Sequence, residues 1–454
     1  MPTAIVILAA GHGTRMNSDL PKVLHPLAAA PLIAHALATA RGLDPERIVV
    51  VTGHGAEAVR AAVAEIDPEA RFAHQDEQRG TGHAVRQAAG ALTDFDGDVI
   101  VLYGDTPFVR PETLLAMLEA RAAGAAVVAL GFEAADPGRY GRLVLGADGG
   151  LEAIVEANDA DAATLAIRLC NSGVIAADRA TLFSLLAAVG TDNAKGEVYL
   201  TDIVCIARAR GLAAAAIACP EAETLGVNSR ADLAAAEAAF QARARADAMA
   251  NGATLTDPAT VWFALDTHVG RDVVIGQNVV FDLGVTVESG ATIKPFCHFA
   301  GCHVSRGAEV GPFARLRPGA ELAEDVHIGN FVEVKNAIVD EGAKINHLAY
   351  VGDADVGART NIGAGAIVCN YDGVFKHRTV IGAGAFIGSN ASLVAPVRVG
   401  ARAVIGAGST ITMDVPDEAL TIARARQCTK PGLGARLMER LRSLKAERAA
   451  KEAR

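Results

Sequence analysis

The fold of this chain is decided by residues 269–296, which read VGRDVVIGQNVVFDLGVTVESGATIKPF. An apolar residue returns at every sixth position, at Val269, Ile275, Phe281, Val287 and Ile293. Six is a multiple of the two-residue strand period but not of the helical period, so these residues fall on one face of short strands. Three such faces close a triangular coil. Stacked coils then make a parallel β-helix, which we predict to be left-handed.

The same period continues toward the C-terminus, at Phe299, then at Val304, Val310, Leu316, Leu322, Ile328 and Val334, and later at Ile381, Ile387, Leu393, Val399, Ile405 and Ile411. Its register slips between Val334 and Ile381, where Val356, Ile362, Val368, Val374 and Val380 keep a phase of their own. A slip turns side chains to the other face of a strand. Loops that carry a functional site are a physical reason for such an interruption.

The N-terminal half has a different pattern, in which short apolar strands alternate with alanine-rich helices. Predicted strands are Thr3–Leu8, Arg47–Val51, Asp98–Leu102 and Ala125–Leu130, and predicted helices include Ala28–Ala40 and Pro111–Ala123. This alternation predicts a mostly parallel, Rossmann-like α/β sheet covered by helices.

Four segments follow from these patterns. Residues 1–228 form the α/β domain, and residues 229–251 form a linker helix that opens with a capping box at Ser229 and Asp232. Residues 252–422 form the β-helix. Residues 423–454 form a basic tail that is helical from Leu433.

Composition excludes several classes of function. The net charge of −10 argues against broad binding to nucleic acid or an anionic membrane. No segment has the length and apolar character of a membrane span, and no secretory leader is recognisable. The seven cysteines form no CxxC motif or even framework, which predicts a reduced, cytoplasmic protein.

The first chemical motif follows the first predicted strand and reads LAAGHGTRM, residues 8–16, with Lys22 six residues later. Gly11 and Gly13 let backbone N–H groups approach a phosphate, and Arg15 and Lys22 add positive charge. A dinucleotide-binding fingerprint would require a third glycine where this chain has Met16. The motif therefore favours phosphate binding.

These residues resemble the signature of sugar-nucleotide pyrophosphorylases. Further matches follow in the family's order at residues 75, 80–84, 102–105, 140–142, 154–156, 171–173, 197–202 and 226–228. With the hexapeptide half included, residues 3–430 resemble the bacterial bifunctional N-acetylglucosamine-1-phosphate uridylyltransferase/glucosamine-1-phosphate N-acetyltransferase family. His12 and Ser172 depart from its usual pattern of Lys and Thr.

The resemblance implies acetylation of glucosamine 1-phosphate with acetyl-CoA, followed by transfer of UMP from UTP to N-acetylglucosamine 1-phosphate. The product, UDP-N-acetylglucosamine, would serve cell-wall precursor synthesis. Mg²⁺ is the implied cofactor, held by Asp105 and Asn228, with Arg15 and Lys22 catalytic at the UTP phosphates. The residues implied to bind UDP-N-acetylglucosamine are Leu8, Ala9, Ala10, Gly11, Lys22, Gln75, Gly80, Thr81, Tyr103, Gly104, Asp105, Gly141, Glu156, Asn171 and Asn228.

A second set of polar residues interrupts the hexapeptide repeat. Acetyl transfer to an amine benefits from a general base, and histidine suits that task near neutral pH. The resemblance implies that His347 is this base, that glucosamine 1-phosphate is bound by Arg317, Lys335, Tyr350 and Asn361, and that acetyl-CoA is bound by Ala364, Asn370, Tyr371, Ser389, Ala407 and Arg424. It also implies a homotrimer assembled through the β-helix.

A rival hypothesis remains at this point. The N-terminal half alone could be catalytic, as a single-activity sugar-nucleotide pyrophosphorylase whose β-helix serves only as an oligomerisation scaffold. His347, Lys335, Arg317 and Tyr371 discriminate between the two, because a scaffold has no need of them.

Overall fold

The computed structural model describes residues 2–452, so that Met1 and residues 453–454 of the predicted first and last segments lie outside the described part. The chain divides into two compact units. The first comprises Met1–His268 with Val280–Val285, and the second comprises Val269–Val279 with Thr286–Arg454.

The first unit is built on strands that agree closely with the predicted ones. They are β1 (Thr3–Ala9), β2 (Pro26–Leu27), β3 (Ala30–Pro31), β4 (Arg47–Thr52), β5 (Arg71–His74), β6 (Asp98–Tyr103), β7 (Val127–Glu133), β8 (Arg142–Leu145), β9 (Leu151–Val155), β10 (Leu169–Asp178) and β11 (Ala214–Cys219). The central sheet has the order β11-β7-β10-β6-β1-β4-β5. Its pairs are parallel except where β10 runs antiparallel to β6 and β7.

Helices cover both faces of this sheet, whose apolar side chains are buried on either side. The covering helices are α1 (Leu32–Arg41), α2 (Ala56–Ile66), α3 (Thr81–Gln87), α4 (Pro111–Ala122), α6 (Arg179–Ala187) and α7 (Ile203–Ala209). The first unit also contains the short helix α5 (Ala162–Leu165) and the long helix α8 (Arg230–Ala250), which lie outside these two cores. The predicted α/β class is therefore confirmed.

The predicted helix over residues 28–40 is wrong in its first turn. Residues 26–31 instead form the β2–β3 hairpin, and α1 begins only at Leu32. Ala28 and Ala29 both have positive φ, as a two-residue hairpin turn requires. Pro31 has no N–H to donate, so it stands before the helix rather than inside it.

The predicted capping box at the start of α8 is present. The Ser229 hydroxyl accepts the N–H of Asp232 at 3.2 Å, and Oδ2 of Asp232 accepts the N–H groups of Ser229 at 2.9 Å and Asn228 at 3.0 Å. The cap therefore fixes the backbone of Asn228 as well as the helix. Farther along, Phe240 and Gln241 of α8 are buried.

Replacing Ser229 with alanine removes the first of these hydrogen bonds. We expect the free energy of unfolding to fall by about 1 kcal/mol, the usual cost of losing a helix cap. Urea unfolding followed by circular dichroism measures it. Ser443→Ala changes an exposed serine and serves as the control. Equal losses in the two variants would contradict a specific role for the cap.

The second unit is a left-handed parallel β-helix, as predicted. Its described strands stack in three columns, one for each face. The first column contains Val274–Ile275, Thr292–Ile293, Glu309–Val310, His327–Asn330, Lys344–His347, Asn361–Ile362, Phe386–Ile387, Val404–Ile405 and Leu420–Thr421. The second contains His298–Phe299, Arg315–Leu316, Ile367–Cys369, Ser392–Val394 and Thr410–Ile411, and the third contains Thr286–Val287, Cys302–Val304, Ala320–Leu322, Thr379–Ile381 and Val397–Val399.

Two longer strands, Glu333–Val339 and Tyr350–Val356, turn a corner and belong to both the second and third columns. The remaining short strands are Thr254–Leu255, His268–Val269 and Val280–Phe281.

The hexapeptide residues face the interior of the coil. Apart from the partly exposed Val269, every residue predicted at the regular six-residue spacing is buried. Within the slipped segment Val356, Ile362 and Val368 are also buried, but Val374 is 73% exposed and Val380 is only half-buried. The phase fails there because a loop over residues 370–378 leaves the coil, which resumes with Ile381 facing inward.

The tail forms α9 (Leu433–Glu452), which confirms the helix predicted from Leu433. Its side chains are exposed as far as Lys451. Over residues 2–452, no helix combines the length and apolar character needed to cross a bilayer.

Candidate active sites

A pocket of about 230 Å³ opens at the carboxyl ends of β1 and β6. This is the edge at which open α/β sheets bind their ligands. Ten of the residues predicted to bind the nucleotide sugar line it: Leu8, Ala9, Ala10, Gly11, Lys22, Gln75, Gly80, Thr81, Tyr103 and Asp105. The remaining lining residues are Val23, Gln78, Ala84 and Glu197.

The loop after β1 is shaped by Gly13. This residue has φ 61°, and a Cβ added to it would lie 2.7 Å from Cβ of Lys22. Glycine therefore lets Lys22 cross the loop closely. Arg15 lies in the 3₁₀ turn Thr14–Met16 and is exposed, outside the residues that line the pocket. His12 contacts Gln78 through Nε2 and Oε1 at 3.1 Å.

Lys22 joins the two predicted metal ligands across the pocket. Its Nζ forms an ion pair with Oδ2 of Asp105 and donates a hydrogen bond to Oδ1 of Asn228 at 3.1 Å. Asp105 follows β6, whereas Asn228 precedes α8, so two distant parts of the sequence converge on one ammonium group. Oxygens that converge on a cation form a site suited to a hard metal ion.

The base-side residues form a second group. Nε2 of Gln75 donates to the backbone carbonyl of Gly80 at 3.2 Å and contacts Nδ1 of His83 at 3.0 Å. Thr81 begins α3, and its hydroxyl accepts the N–H of Leu200 at 3.2 Å. These contacts hold Gln75 and the start of α3 as one wall of the pocket.

The predicted sugar-binding residues also come together. The N–H of Asn171 donates to the carbonyl of Gly141 at 2.8 Å, and an ideal Cβ on Gly141 would lie 3.6 Å from Oε2 of Glu156. Burial raises the pKa of Glu156 above its ordinary value, although the Thr201 hydroxyl, 3.3 Å away, stabilises the carboxylate. Burial, and then the charge of Asp105, likewise raises the pKa of Tyr103.

In the β-helix, His347 begins a column of small residues along one corner. The strand register pairs Ile345 with Ile362, Ile387 and Ile405 in successive coils. Two positions farther along each strand, the same register aligns His347 with Ala364, Ser389 and Ala407. Backbone N–H groups of Gly365, Asn390 and Gly408 bridge consecutive members of this column. Arg424, in the tail that follows, is exposed.

His347 is exposed, and its ring is held from one side. Nδ1 lies 2.8 Å from Oδ1 of Asn330, the residue in register with it on the preceding coil. Because an amide oxygen can only accept, the neutral imidazole that makes this contact carries its proton on Nδ1 and has Nε2 as a hydrogen-bond acceptor. The same two residues line a pocket of about 350 Å³.

Arg317 and Lys335 lie on consecutive coils, each directly after a buried residue of the second column, Leu316 and Val334. Nη1 of Arg317 donates to Oε1 of Glu333 at 2.8 Å. The pKa of Lys335 is lowered mainly by its close side-chain contact with Lys376 and next by the positive charge of Lys376. The charge of Arg317 lowers it further. Three cations therefore cluster here, an arrangement suited to a phosphate.

Tyr350 reaches this position from the next coil. Its hydroxyl lies over Gly352, the residue in register with Lys335, and a Cβ at Gly352 would collide with it. Asn361, by contrast, lies on a strand of the first column, with its side chain outward and its neighbour Ile362 buried. Within one chain, Asn361 therefore belongs to a different face from Arg317, Lys335 and Tyr350.

Asn370 is anchored by a buried carboxylate. Asp353, 7% exposed, accepts hydrogen bonds from Asn370 and, at 2.5 Å, from Asn336. Burial alone would raise the pKa of Asp353, but these bonds and the charge of Lys335 hold it below the ordinary value.

Tyr371, which follows Asn370 in the sequence, is exposed, and its hydroxyl donates to the carbonyl of Gly373 at 2.6 Å. The loop that carries it is closed by His377, whose hydrogen bond lowers the pKa of Asp372 to about 2.

Several residues of these sites were not predicted. They are Gln78 and Glu197 in the first unit, and Asn330, Glu333, Asp353 and Lys376 in the second. One signal was available in the sequence. Asn330 precedes His347 by 17 residues, and Arg317 precedes Lys335 by 18, which is one coil in each case.

Comparisons with known proteins match both units. Residues 5–197 match the model of the MobA-like NTP transferase domain. Residues 378–412 match the bacterial transferase hexapeptide, and residues 267–294 match the hexapeptide repeat of succinyl-transferase. A more distant likeness is a solved structure of UDP-glucose pyrophosphorylase complexed with UDP-glucose, at 18% identity and a TM-score of 0.43, covering 54% of this chain and all of that one.

Curated relatives match over almost the whole chain. The bifunctional protein GlmU of Paracoccus denitrificans is 66% identical over 98% of this chain and 99% of its own length. Those of a Ruegeria species and of Cereibacter sphaeroides are 65% and 64% identical, over 99% and 97% of this chain and 100% and 96% of their own lengths.

A nucleotide pocket at the edge of an α/β sheet, followed by a hexapeptide β-helix with its own polar site, defines a nucleotidyltransferase joined to an acyltransferase. The chain belongs to the GlmU family of bifunctional proteins. It is an enzyme with both activities, which acetylates glucosamine 1-phosphate and uridylylates the product to give UDP-N-acetylglucosamine. The single-activity alternative is therefore set aside.

Proposed function

We propose that the two reactions take place at the two sites described above, and that UMP transfer occurs in the pocket between β1 and β6. The phosphate oxygen of N-acetylglucosamine 1-phosphate attacks the α-phosphorus of UTP, a new P–O bond forms and pyrophosphate leaves. Both reactants are anions, so catalysis depends on positioning and charge neutralisation. Arg15 and Lys22 supply positive charge to the triphosphate. The observation that carries this proposal is the convergence of Lys22, Asp105 and Asn228.

The residues present fit a Mg²⁺ ion. Lys22 is a stand-in cation in contact with one carboxylate oxygen and one amide oxygen. Within residues 2–452 no group of three or more His, Cys, Asp or Glu side chains is arranged to hold a metal, but Mg²⁺ commonly uses one or two protein carboxylates together with substrate phosphates. Asp105 and Asn228 would hold it. When bound, the ion would neutralise the phosphate charge that develops during transfer.

The other residues predicted for this site orient the two substrates. Gln75, Gly80 and Thr81 contact uracil. The hydrogen bond from Gln75 to the Gly80 carbonyl and the one from the Leu200 N–H to the Thr81 hydroxyl support a rigid binding wall. Gly141, Glu156 and Asn171 contact the amino sugar. The backbone of residues 8–11 and of Tyr103 and Gly104 lies against the nucleotide, at the ends of β1 and β6.

We assign acetyl transfer to the corner of the β-helix that begins at His347. The amine of glucosamine 1-phosphate attacks the thioester carbonyl, a C–N bond forms, the C–S bond breaks, and Nε2 of His347 accepts the amine proton. Ala364, Ser389 and Ala407 bind acetyl-CoA, since their small side chains leave room along the column that starts at the base. Asn370, Tyr371 and Arg424 complete this site.

The cluster of cations formed by Arg317, Lys335 and Lys376 binds the sugar phosphate. Arg317 and Lys335 are named for this role, with Tyr350 beside them and Asn361 as a further ligand. Because Asn361 lies on another face of the same chain, a site that uses all four residues requires a second copy. This requirement supports the assembly that the family resemblance implies, and we propose a homotrimer formed through the β-helix, with acetyltransferase sites between subunits.

The segment boundaries also stand as a proposal, with residues 1–228, 229–251, 252–422 and 423–454 as uridylyltransferase, linker, acetyltransferase and tail. The bounds of α8, Arg230–Ala250, support the linker segment. We propose a cytoplasmic location, which the seven unpaired cysteines support, and small-molecule partners without nucleic acid.

Purified protein tests the pair of activities directly. We expect free thiol from acetyl-CoA with glucosamine 1-phosphate, and pyrophosphate from UTP with N-acetylglucosamine 1-phosphate and Mg²⁺. Failure to release thiol would contradict the acetyltransferase assignment, while failure to release pyrophosphate would contradict the uridylyltransferase assignment.

Replacing Asn330 with alanine removes the acceptor for the Nδ1 proton of His347. We expect the kcat of thiol release to fall about tenfold, which is the value of one net hydrogen bond, with KM for glucosamine 1-phosphate unchanged. Gln277→Ala truncates a partly buried amide side chain elsewhere in the β-helix and serves as the comparison. A rise in KM with normal kcat in Asn330→Ala would contradict a role in positioning the base.

A further inference from the structure

The ammonium group of Lys22 lies between the two proposed metal ligands. It pairs with Oδ2 of Asp105 and donates to Oδ1 of Asn228 at 3.1 Å. The side chains of Lys22 and Asp105 are only 14% and 19% exposed. One positive charge therefore already occupies, in a largely desolvated setting, the two oxygens on which a metal would depend.

We propose that Lys22 is a gate that keeps divalent cations out of the uridylyltransferase site until a nucleoside triphosphate binds. A metal ion and an ammonium group a few ångströms apart repel each other strongly where water is sparse. Mg²⁺ also gives up its water reluctantly. An Asp105 whose charge is already neutralised offers it little compensation. This inference rests on the assignment of Asp105 and Asn228 as the metal ligands.

The same geometry provides a way to open the gate. Lys22 lines the same pocket as Ala10 and Gly11, the backbone that receives the phosphates. Its stem passes Gly13, which has no side chain to obstruct it. Val23, the next residue, is buried and fixes the backbone at this point. The phosphates attract the ammonium group, Lys22 turns toward them, and Asp105 and Asn228 become free for the metal.

The gate therefore imposes an order of binding. The metal enters together with the triphosphate or after it, and does not bind first to the free enzyme. Lys22 performs two tasks in succession: it neutralises Asp105 in the empty site and then neutralises phosphate charge in the filled one.

Binding of Mn²⁺ to the free enzyme without nucleotide tests the gate, with the electron paramagnetic resonance signal of free Mn²⁺ as the readout. We expect Lys22→Met to bind Mn²⁺ at least tenfold more tightly than the unmodified protein at one site. Lys22→Gln provides a second variant with a polar side chain. The double variant Lys22→Met/Asp105→Asn should lose the gained site. Lys445→Met, which alters an exposed lysine of α9, should leave Mn²⁺ affinity unchanged.

Three results would overturn the gate in distinguishable ways. If Lys22→Met and Lys22→Gln both bind Mn²⁺ no more tightly than the unmodified protein, the gate is wrong. The proposed metal site is still correct in that case if Asp105→Asn by itself weakens Mn²⁺ binding in the presence of a non-hydrolysable UTP analogue. If Asp105→Asn leaves that nucleotide-dependent binding intact, the proposed metal ligands are wrong and the gate falls with them. Tighter binding that survives in the double variant places the gained site elsewhere and also overturns the gate.

Discussion

Replacement of Asp105 with asparagine should reduce pyrophosphate release by roughly 100- to 1000-fold, while thiol release continues at its normal rate. The range is that observed when one preorganised electrostatic contact to a transition state is lost. Asparagine preserves the shape of the side chain at the end of β6 but removes its negative charge. The change leaves both the metal and Lys22 without the carboxylate on which they depend.

The measurement is the rate of pyrophosphate release at saturating UTP, N-acetylglucosamine 1-phosphate and Mg²⁺. Asp192→Asn, at an exposed loop position of the same unit, is the matched control and should retain full activity. The second reaction of the same chain provides an internal test of folding, because a misfolded or aggregated preparation would lose both. Normal pyrophosphate release by Asp105→Asn would contradict its assignment as a metal ligand. Chelation of the metal by EDTA should stop the same reaction and spare the other.

The fold was predictable where one periodicity acts over many residues. The hexapeptide spacing identified the buried face from Ile275 to Val334 because inward residues of a triangular coil must repeat every sixth position. The same spacing failed at Val374, since a loop that leaves the coil adds residues without adding a face. The β2–β3 hairpin was missed because alanine-rich composition favours helix, whereas Pro31 and the tight turn before it determine the local structure.

Candidate site residues could be predicted from the sequence where they lie within a recognisable motif. Residues 8–11 and Lys22 follow directly from the loop after β1. Gln78 and Lys376 do not, because their contacts with His12 and Lys335 join positions that only the folded chain brings together. Asn330 lies between these cases. Its distance of one coil from His347 is a regular spacing, so the repeat that defines the scaffold also identifies which side chains are neighbours in the site.

Replacement of His347 with alanine should reduce thiol release by roughly 100- to 10,000-fold, the usual contribution of a positioned general base. Pyrophosphate release should be unaffected. The amine of the sugar must lose a proton as it attacks the thioester, and Nε2 of His347 is the acceptor left available once Nδ1 is bonded to Asn330. Alanine removes that acceptor. Since His347 is exposed, the substitution creates no buried cavity and should leave the coil intact.

His303→Ala is the matched control for this prediction. His303 lies on the strand Cys302–Val304 of the same β-helix and contacts Glu288 at 3.0 Å, so its loss removes a contact to a carboxylate rather than a base. We expect its thiol release to remain within a factor of about two, in keeping with the small energy of exposed polar contacts. If His347→Ala and His303→Ala released thiol at the same rate, the base would have to be another group, and the column of Ala364, Ser389 and Ala407 would no longer begin at the reacting amine. If only His347→Ala is impaired, the acetyl group is transferred at His347, the corner of the β-helix where the column of Ala364, Ser389 and Ala407 begins.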